Sequence, residues 1–94
     1  MDLDSTYSRS PGVVGHRRAE ETILVPVLRG ADENTYFTLN AVGTFVWERL
    51  DGIRPLSSIA DEIVSTFAVE KRRAAADVLE FVDRLEQVGC ALEV

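Results

Sequence analysis

Residues 39–52 read LNAVGTFVWERLDG, and the rest of the chain can be placed around them. Asn40 suits a helix N-cap, because its side-chain oxygen can accept from the free N–H groups of the first helical turn. The spacing predicts a short helix from there to about Asp51, with Val42, Phe45, Val46 and Leu50 on one continuous arc that also takes in Gly43 and Trp47. Gly43 therefore lies on the buried side. A glycine inside a helix costs about 1 kcal/mol relative to alanine, so the position is expected to admit a close neighbour, either a backbone or a bulky ring. Gly52 fits the left-handed residue after a helix, which would let Ile53 fold back on Trp47.

Around this stretch the chain divides into strands first and helices after. Residues 13–18 and 22–28 are rich in β-branched and apolar side chains and are joined by Ala19, Glu20 and Glu21, which predicts a hairpin. Pro26 is expected to disturb the second strand, since proline cannot donate to a ladder. Residues 30–34 form the next turn, and residues 35–39 a third strand with Thr35, Phe37 and Leu39 on one side and Tyr36 and Thr38 on the other. A second helix follows Pro55, with Leu56, Ile59, Ala60, Ile63, Val64 and Phe67 on its apolar arc. A third runs from about Glu70 to Val88 and is stopped by Gly89. Residues 1–12 are polar and end in Ser-Pro-Gly, which reads as a flexible arm preceding a domain of residues 13–94. The expected fold class is α+β: a three-stranded antiparallel sheet followed by three helices, in a winged helix-turn-helix-like order.

Composition narrows the chemistry. Ninety-four residues, 46% hydrophobic and 28% charged, make one small domain with room for a single core. Ten basic and sixteen acidic residues give a net charge of −6, which disfavours nucleic acid as a partner. No apolar run approaches the roughly 18 residues of a membrane helix, and the acidic start does not resemble a signal peptide, so no membrane partner and a cytoplasmic location are expected. His16 has no cysteine or carboxylate at ligand spacing, and Cys90 stands alone, so neither a metal site nor a cofactor is expected. Phosphate-cradling glycine loops and hydrolase or metalloprotease motifs are lacking, and the row Asp77, Glu80, Asp83 has the spacing of a solvated helix face. No catalytic residue is assigned.

Two features point to binding. Lys71, Arg72 and Arg73 open the third helix against its dipole, either compensated by Glu70 and Asp77 or serving as a basic patch for an acidic partner. The third strand is an edge without lysine, proline or inward charge to block pairing, whereas the opposite edge carries Arg17 and Arg18. The third helix also has a wide apolar face: Val78, Leu79, Phe81, Val82, Leu85 and Val88 cover about half its circumference, more than the roughly 100° one contact needs. An open edge beside such a helix is the arrangement that strand addition of a peptide uses; covering of the edge by a helix, a tail or a second subunit is the alternative.

Tyr36, Phe37, Leu39, Asn40, Gly43, Trp47, Leu50, Asp51 and Gly52, then Ile59, then Asp77, Val78, Leu85 and Gly89 resemble the PqqD family, over about residues 13–91. The chain departs from that pattern before the third helix, where Ala68, Val69, Glu70 and Lys71 replace an aspartate-rich cap. A second departure follows Gly89, where Cys90 and Ala91 replace a leucine pair. The resemblance implies a non-catalytic recognition element that binds the leader of a ribosomally made, post-translationally modified precursor peptide. It implies a leader added as a strand between the third strand and the third helix, and presentation to a modifying enzyme, often a radical-SAM protein. On that reading the peptide-binding residues are Thr35, Tyr36, Phe37, Thr38 and Leu39 on the strand and Val78, Leu79, Val82 and Leu85 on the helix, with Lys71, Arg72 and Arg73 attracting acidic leader residues. The alternatives are a winged-helix DNA-binding protein, which needs a basic recognition face, and a structural homodimer that buries the open edge.

Overall fold

The computed structural model describes residues 1–26 and 36–94, so Thr35, the turn expected over 30–34 and the end of the second expected strand lie outside the described residues. Among the described residues six strands and three helices follow in chain order: β1 Thr6–Arg9, β2 Val13–Arg18, β3 Glu21–Pro26, β4 Phe37–Leu39, α1 Ala41–Glu48, β5 Asp51–Pro55, α2 Leu56–Phe67, α3 Lys71–Gln87 and β6 Ala91–Glu93. The expected antiparallel sheet is present in the order β2-β3-β4. Its β2–β3 ladder runs unbroken from Arg18↔Glu21 to Val13↔Pro26. No irregularity is seen at Pro26 among the described residues, since the β2–β3 ladder keeps its register up to Val13↔Pro26.

A second three-stranded sheet, β5-β1-β6, corrects the reading of residues 1–12 as a loose arm. Residues 6–9 form its central strand, pairing Tyr7 with Glu93 and Arg9 with Ala91 on one side, and Thr6 with Pro55 on the other. Tyr7 anchors it, at 2% exposure. The same segment caps α2, whose N-cap Pro55 has no side-chain donor or acceptor to offer: the first-turn N–H groups of Leu56 and Ser57 donate to the carbonyls of Ser5 and Leu3 at 3.0 and 2.9 Å.

Helix α1 begins as expected, with the Asn40 side chain accepting from Gly43 N–H at 2.8 Å. Its end differs. The helix stops at Glu48 and closes through short-range bonds, Arg49 N–H to the Val46 carbonyl at 3.0 Å and Leu50 N–H to the Trp47 carbonyl at 3.3 Å. Asp51 then turns the chain outward by accepting from the N–H groups of Ile53 and Arg54 at 2.9 and 3.0 Å, bonds that hold its carboxyl below the usual range. Gly52 keeps its positive φ of 76° but lies in β5, and Ile53 is 81% exposed, so it does not close on Trp47. The expected stop is instead seen at α3. Gly89, at φ 79°, donates to the Glu86 carbonyl at 3.0 Å, and Cys90 donates to the Leu85 carbonyl at 2.7 Å, the two bonds of a Schellman closure.

One core joins all layers. Leu24, Leu39, Val46, Trp47, Leu50, Leu56, Ile59, Ile63, Val78 and Val82 are buried in it. Glu62 clamps the rim, accepting from Arg49 at 3.1 Å and Arg54 at 2.9 Å, while the Arg49 guanidinium lies 3.4 Å from the centroid of Phe45.

Tyr7 gives the fold a pH signature. Its hydroxyl donates to Glu86 Oε2 at 3.2 Å, and burial, followed by the charge of Glu86, pushes the phenol up to about 12 from 10.0. The folded chain keeps a proton that the unfolded chain releases near pH 10, so this contribution is full below pH 10.0 and is lost as pH rises toward about 12. Tyr7→Phe should flatten that alkaline loss in denaturant titrations, while costing about 1 kcal/mol at neutral pH for the missing hydrogen bond.

Candidate functional site

The open edge and the wide helix face meet. Strand β4 pairs with β3 on one side and has no neighbour on the other among the described residues. Beside that free edge a groove of about 290 Å³ is lined by Phe37, Thr38 and Leu39 from β4 and by Phe81, Arg84, Leu85, Gln87 and Val88 from α3. An adjoining depression of about 330 Å³ shares Phe81 and Arg84 and continues along α3 past Glu80, Asp77 and Arg73 to the start of α1 at Asn40, Val42, Gly43 and Val46. Together they make one channel along the helix, apolar near β4 and charged toward the α3 N-terminus.

The rotation of α3 decides which of its side chains reach this channel. Ala74, Val78 and Val82 are wholly buried and Leu85 nearly so, which places the core-facing line along these residues. Val78 and Val82, expected to touch a peptide, therefore present no surface to one. Leu79 is half-buried against the core, but it stands two residues before Phe81 and so roughly 160° away from it around the helix, outside the groove. Of the four helix residues expected at the site, the groove includes Leu85 alone. Its wall is made by Phe81, Arg84, Gln87 and Val88, one helical step further round.

On the strand side the expected alternation holds for the described residues. Leu39 is buried, Phe37 half-buried and Thr38 exposed, while Tyr36 is exposed just before β4. Phe37 and Leu39 thus form the groove's floor, and Thr38 its rim.

Gly43 positions the central ring. A Cβ built on it would stand 2.9 Å from Cε1 of Phe81, 3.3 Å from the capping oxygen of Asn40 and 3.3 Å from Cβ of Leu39. The close neighbour expected at Gly43 is thus an aromatic ring, and Phe81 is the only aromatic on α3. Pairing those two facts would have pointed to Phe81 from sequence. Gly43→Val should destabilise the fold by roughly 1–3 kcal/mol in a chemical melt, because the ring can yield only toward the groove while Leu39 and Asn40 cannot. Unchanged stability would mean that Phe81 moves freely.

The channel's charges are paired along the helix. Arg84 meets Glu80 at 2.8 Å, Arg73 approaches Asp77 at 3.8 Å, and the Gln87 amide donates to Asp83 at 2.9 Å. All are exposed pairs spaced by four residues, worth a few tenths of a kcal/mol each, so a ligand can exchange them cheaply. Of the basic run, Arg73 borders the channel, whereas Lys71 and Arg72 are exposed and do not line it. Among the described residues no group of histidine, cysteine, aspartate or glutamate is placed to hold a metal ion, and no helix is long and apolar enough to cross a membrane.

Solved structures with this fold are informative. The chain is similar to TbiB1, solved in complex with the TbiA(beta) leader peptide, with a TM-score of 0.77 and 26% identity over 89% of this chain and 93% of that one. It is also similar in fold to a lasso peptide synthetase B1 complexed with the leader peptide, with a TM-score of 0.77 and 22% identity over 92% of this chain and 96% of that one. Among curated proteins none matches the chain. The sequence pattern of coenzyme PQQ synthesis protein D (PqqD) matches residues 21–90, a stretch that runs from β3 through the Schellman closure of α3 and includes the described groove-lining residues, and on that match the chain belongs to the PqqD family.

Proposed function

We propose that the protein is a non-catalytic recognition domain that binds the leader of a ribosomally synthesised precursor peptide and presents it to a modifying enzyme. The observation that carries this reading is the coincidence of a free strand edge, Phe37–Leu39, with a groove whose other wall is α3. A leader paired to β4 would gain main-chain hydrogen bonds that any sequence can make, and every second side chain would turn toward Phe81, Leu85 and Val88. Affinity then comes from the edge and selectivity from the apolar groove. The leader peptides held by the two solved relatives support the same ligand class.

Charge adds a smaller contribution. Arg73 is the member of the basic run that borders the channel, and its contact to Asp77 is long and exposed. Arg73→Ala should weaken leader binding several-fold at low salt, chiefly through slower association, with the difference shrinking at high salt. Stopped-flow measurements at two ionic strengths would check this, and equal association rates for the two proteins would assign Arg73 to solvent.

The function itself is tested by titrating the protein with labelled leader segments of precursor peptides from the same genome and following anisotropy. Saturable binding that requires the leader and not the modified core is the expected result. Binding to duplex DNA at low salt with no binding to any leader would overturn the proposal in favour of a winged-helix DNA-binding role.

A further inference from the structure

The opposite edge of the same sheet carries a second cleft, of about 340 Å³, between β2 and the end of α1. Trp47 forms its floor. The side chain is only 5% exposed, and its Nε1 points at Gly15, where a built Cβ would lie 3.0 Å away. Gly15 lines the cleft, so the missing side chain is what leaves the indole N–H accessible. That N–H has no hydrogen-bond partner among the described residues and opens onto the cleft, where it is free to donate to a ligand. Above it sits Arg9, its guanidinium carbon 6.0 Å from the indole centroid and without an ion-pair partner among the described residues. Arg17 is already committed, to Glu48 at 2.6 Å and to the Ala19 carbonyl at 2.6 Å.

From this donor set we infer that the cleft is a carboxylate-binding site, occupied by an aspartate or glutamate side chain of a partner polypeptide. One guanidinium without an ion-pair partner and one indole N–H without a hydrogen-bond partner among the described residues line the same cleft, and a carboxylate supplies two acceptor oxygens and a single negative charge. A phosphate dianion fits less well, because Glu48 both neutralises Arg17 and places its own carboxylate on the cleft wall. The partner is a polypeptide because the cleft lies beneath an almost wholly exposed strand, β2, where Arg17 and Arg18 guard the edge against strand addition and leave side-chain contacts as the means of recognition. The cleft and the groove lie at opposite edges of one sheet, so both can be filled at once. This inference does not depend on what the groove binds.

Trp47 is the only tryptophan, so the protein has a single indole N–H resonance that reports on this cleft. The ¹⁵N-labelled full chain would be titrated at constant ionic strength with sodium chloride, sodium acetate, inorganic phosphate, N-acetyl-Ala-Glu-Ala-amide and the glutamine counterpart of that peptide. The expected result is a saturable downfield shift of the indole proton with acetate and the glutamate peptide, tighter for the peptide, and none with chloride or the glutamine peptide. In Arg9→Ala, a change at an exposed position, the midpoints should rise at least tenfold. A shift that is linear in concentration, or indifferent to Arg9→Ala, would overturn the site. Phosphate binding more tightly than acetate would overturn the carboxylate assignment, and equal midpoints for acetate and the glutamate peptide would overturn the polypeptide one.

Discussion

Trp47→Ala should lower the unfolding free energy by about 3–5 kcal/mol, the range for deleting a buried large aromatic side chain. Small domains are stable by only about 5–15 kcal/mol, so the variant would be close to unfolding at ambient temperature. The reason is position. Trp47 lies between the end of α1 and the inner face of β2, against Gly15, and is 5% exposed. Its removal opens a void between a sheet and a helix that are each fixed by other contacts, including the buried Thr22–Thr44 hydroxyl pair at 2.9 Å that joins β3 to α1. Surrounding side chains therefore have little freedom to collapse into it. Urea melts of the two proteins give the difference directly, and a loss below about 1 kcal/mol would mean that the indole contributes little to the core.

Phe81→Ala should weaken leader binding by about thirtyfold or more, the loss expected when an aromatic at the centre of an interface is truncated at a cost of about 2 kcal/mol. Phe81 is half-buried, lines both parts of the channel and is held by its contact with Gly43. That contact makes it a pre-positioned surface, so little ordering cost offsets its contribution. The variant also loses some core packing, and a control is needed that leaves the core alone. Val88 serves, being 38% exposed at the groove's rim. Val88→Glu should keep the native melt and still impair binding by introducing an unpaired charge beside Phe37 and Leu85. Isothermal titration with a cognate leader checks both variants, and native affinity in both would remove the groove from the account.

Local signals in the sequence were legible where the chain's neighbours are near in sequence. Asn40 capped the helix as its side chain predicts, the 13–18 and 21–26 hairpin formed in unbroken register, and Gly89 ended α3 in the left-handed conformation. The second sheet was not legible. Its central strand reads TYSR, with one large apolar residue, and its partners β5 and β6 lie more than 40 residues away, so neither propensity nor periodicity marks it. Strand β5 reads DGIRP, which resembles a turn because only pairing with β1 extends it. At the candidate site, the sequence pointed to the elements but not to the rotation of α3. Periodicity gives the width of an apolar face, and three contact surfaces share this one: the core along Val78 and Val82, a flank at Leu79, and the groove at Phe81 and Val88. Which residue falls to which surface depends on how α3 packs against the rest, and the fit of Phe81 onto Gly43 is the one local clue to it.

A bound leader should join the sheet at β4. Hydrogen exchange of the protein alone and with saturating leader measures this amide by amide. Those β4 amides of residues 37–39 that do not already donate to β3 should gain strong protection, together with slower exchange around Phe81 and Val88, while β2 stays unchanged. Protection confined to residues 13–18, or to the basic run at the start of α3, would contradict strand addition at β4.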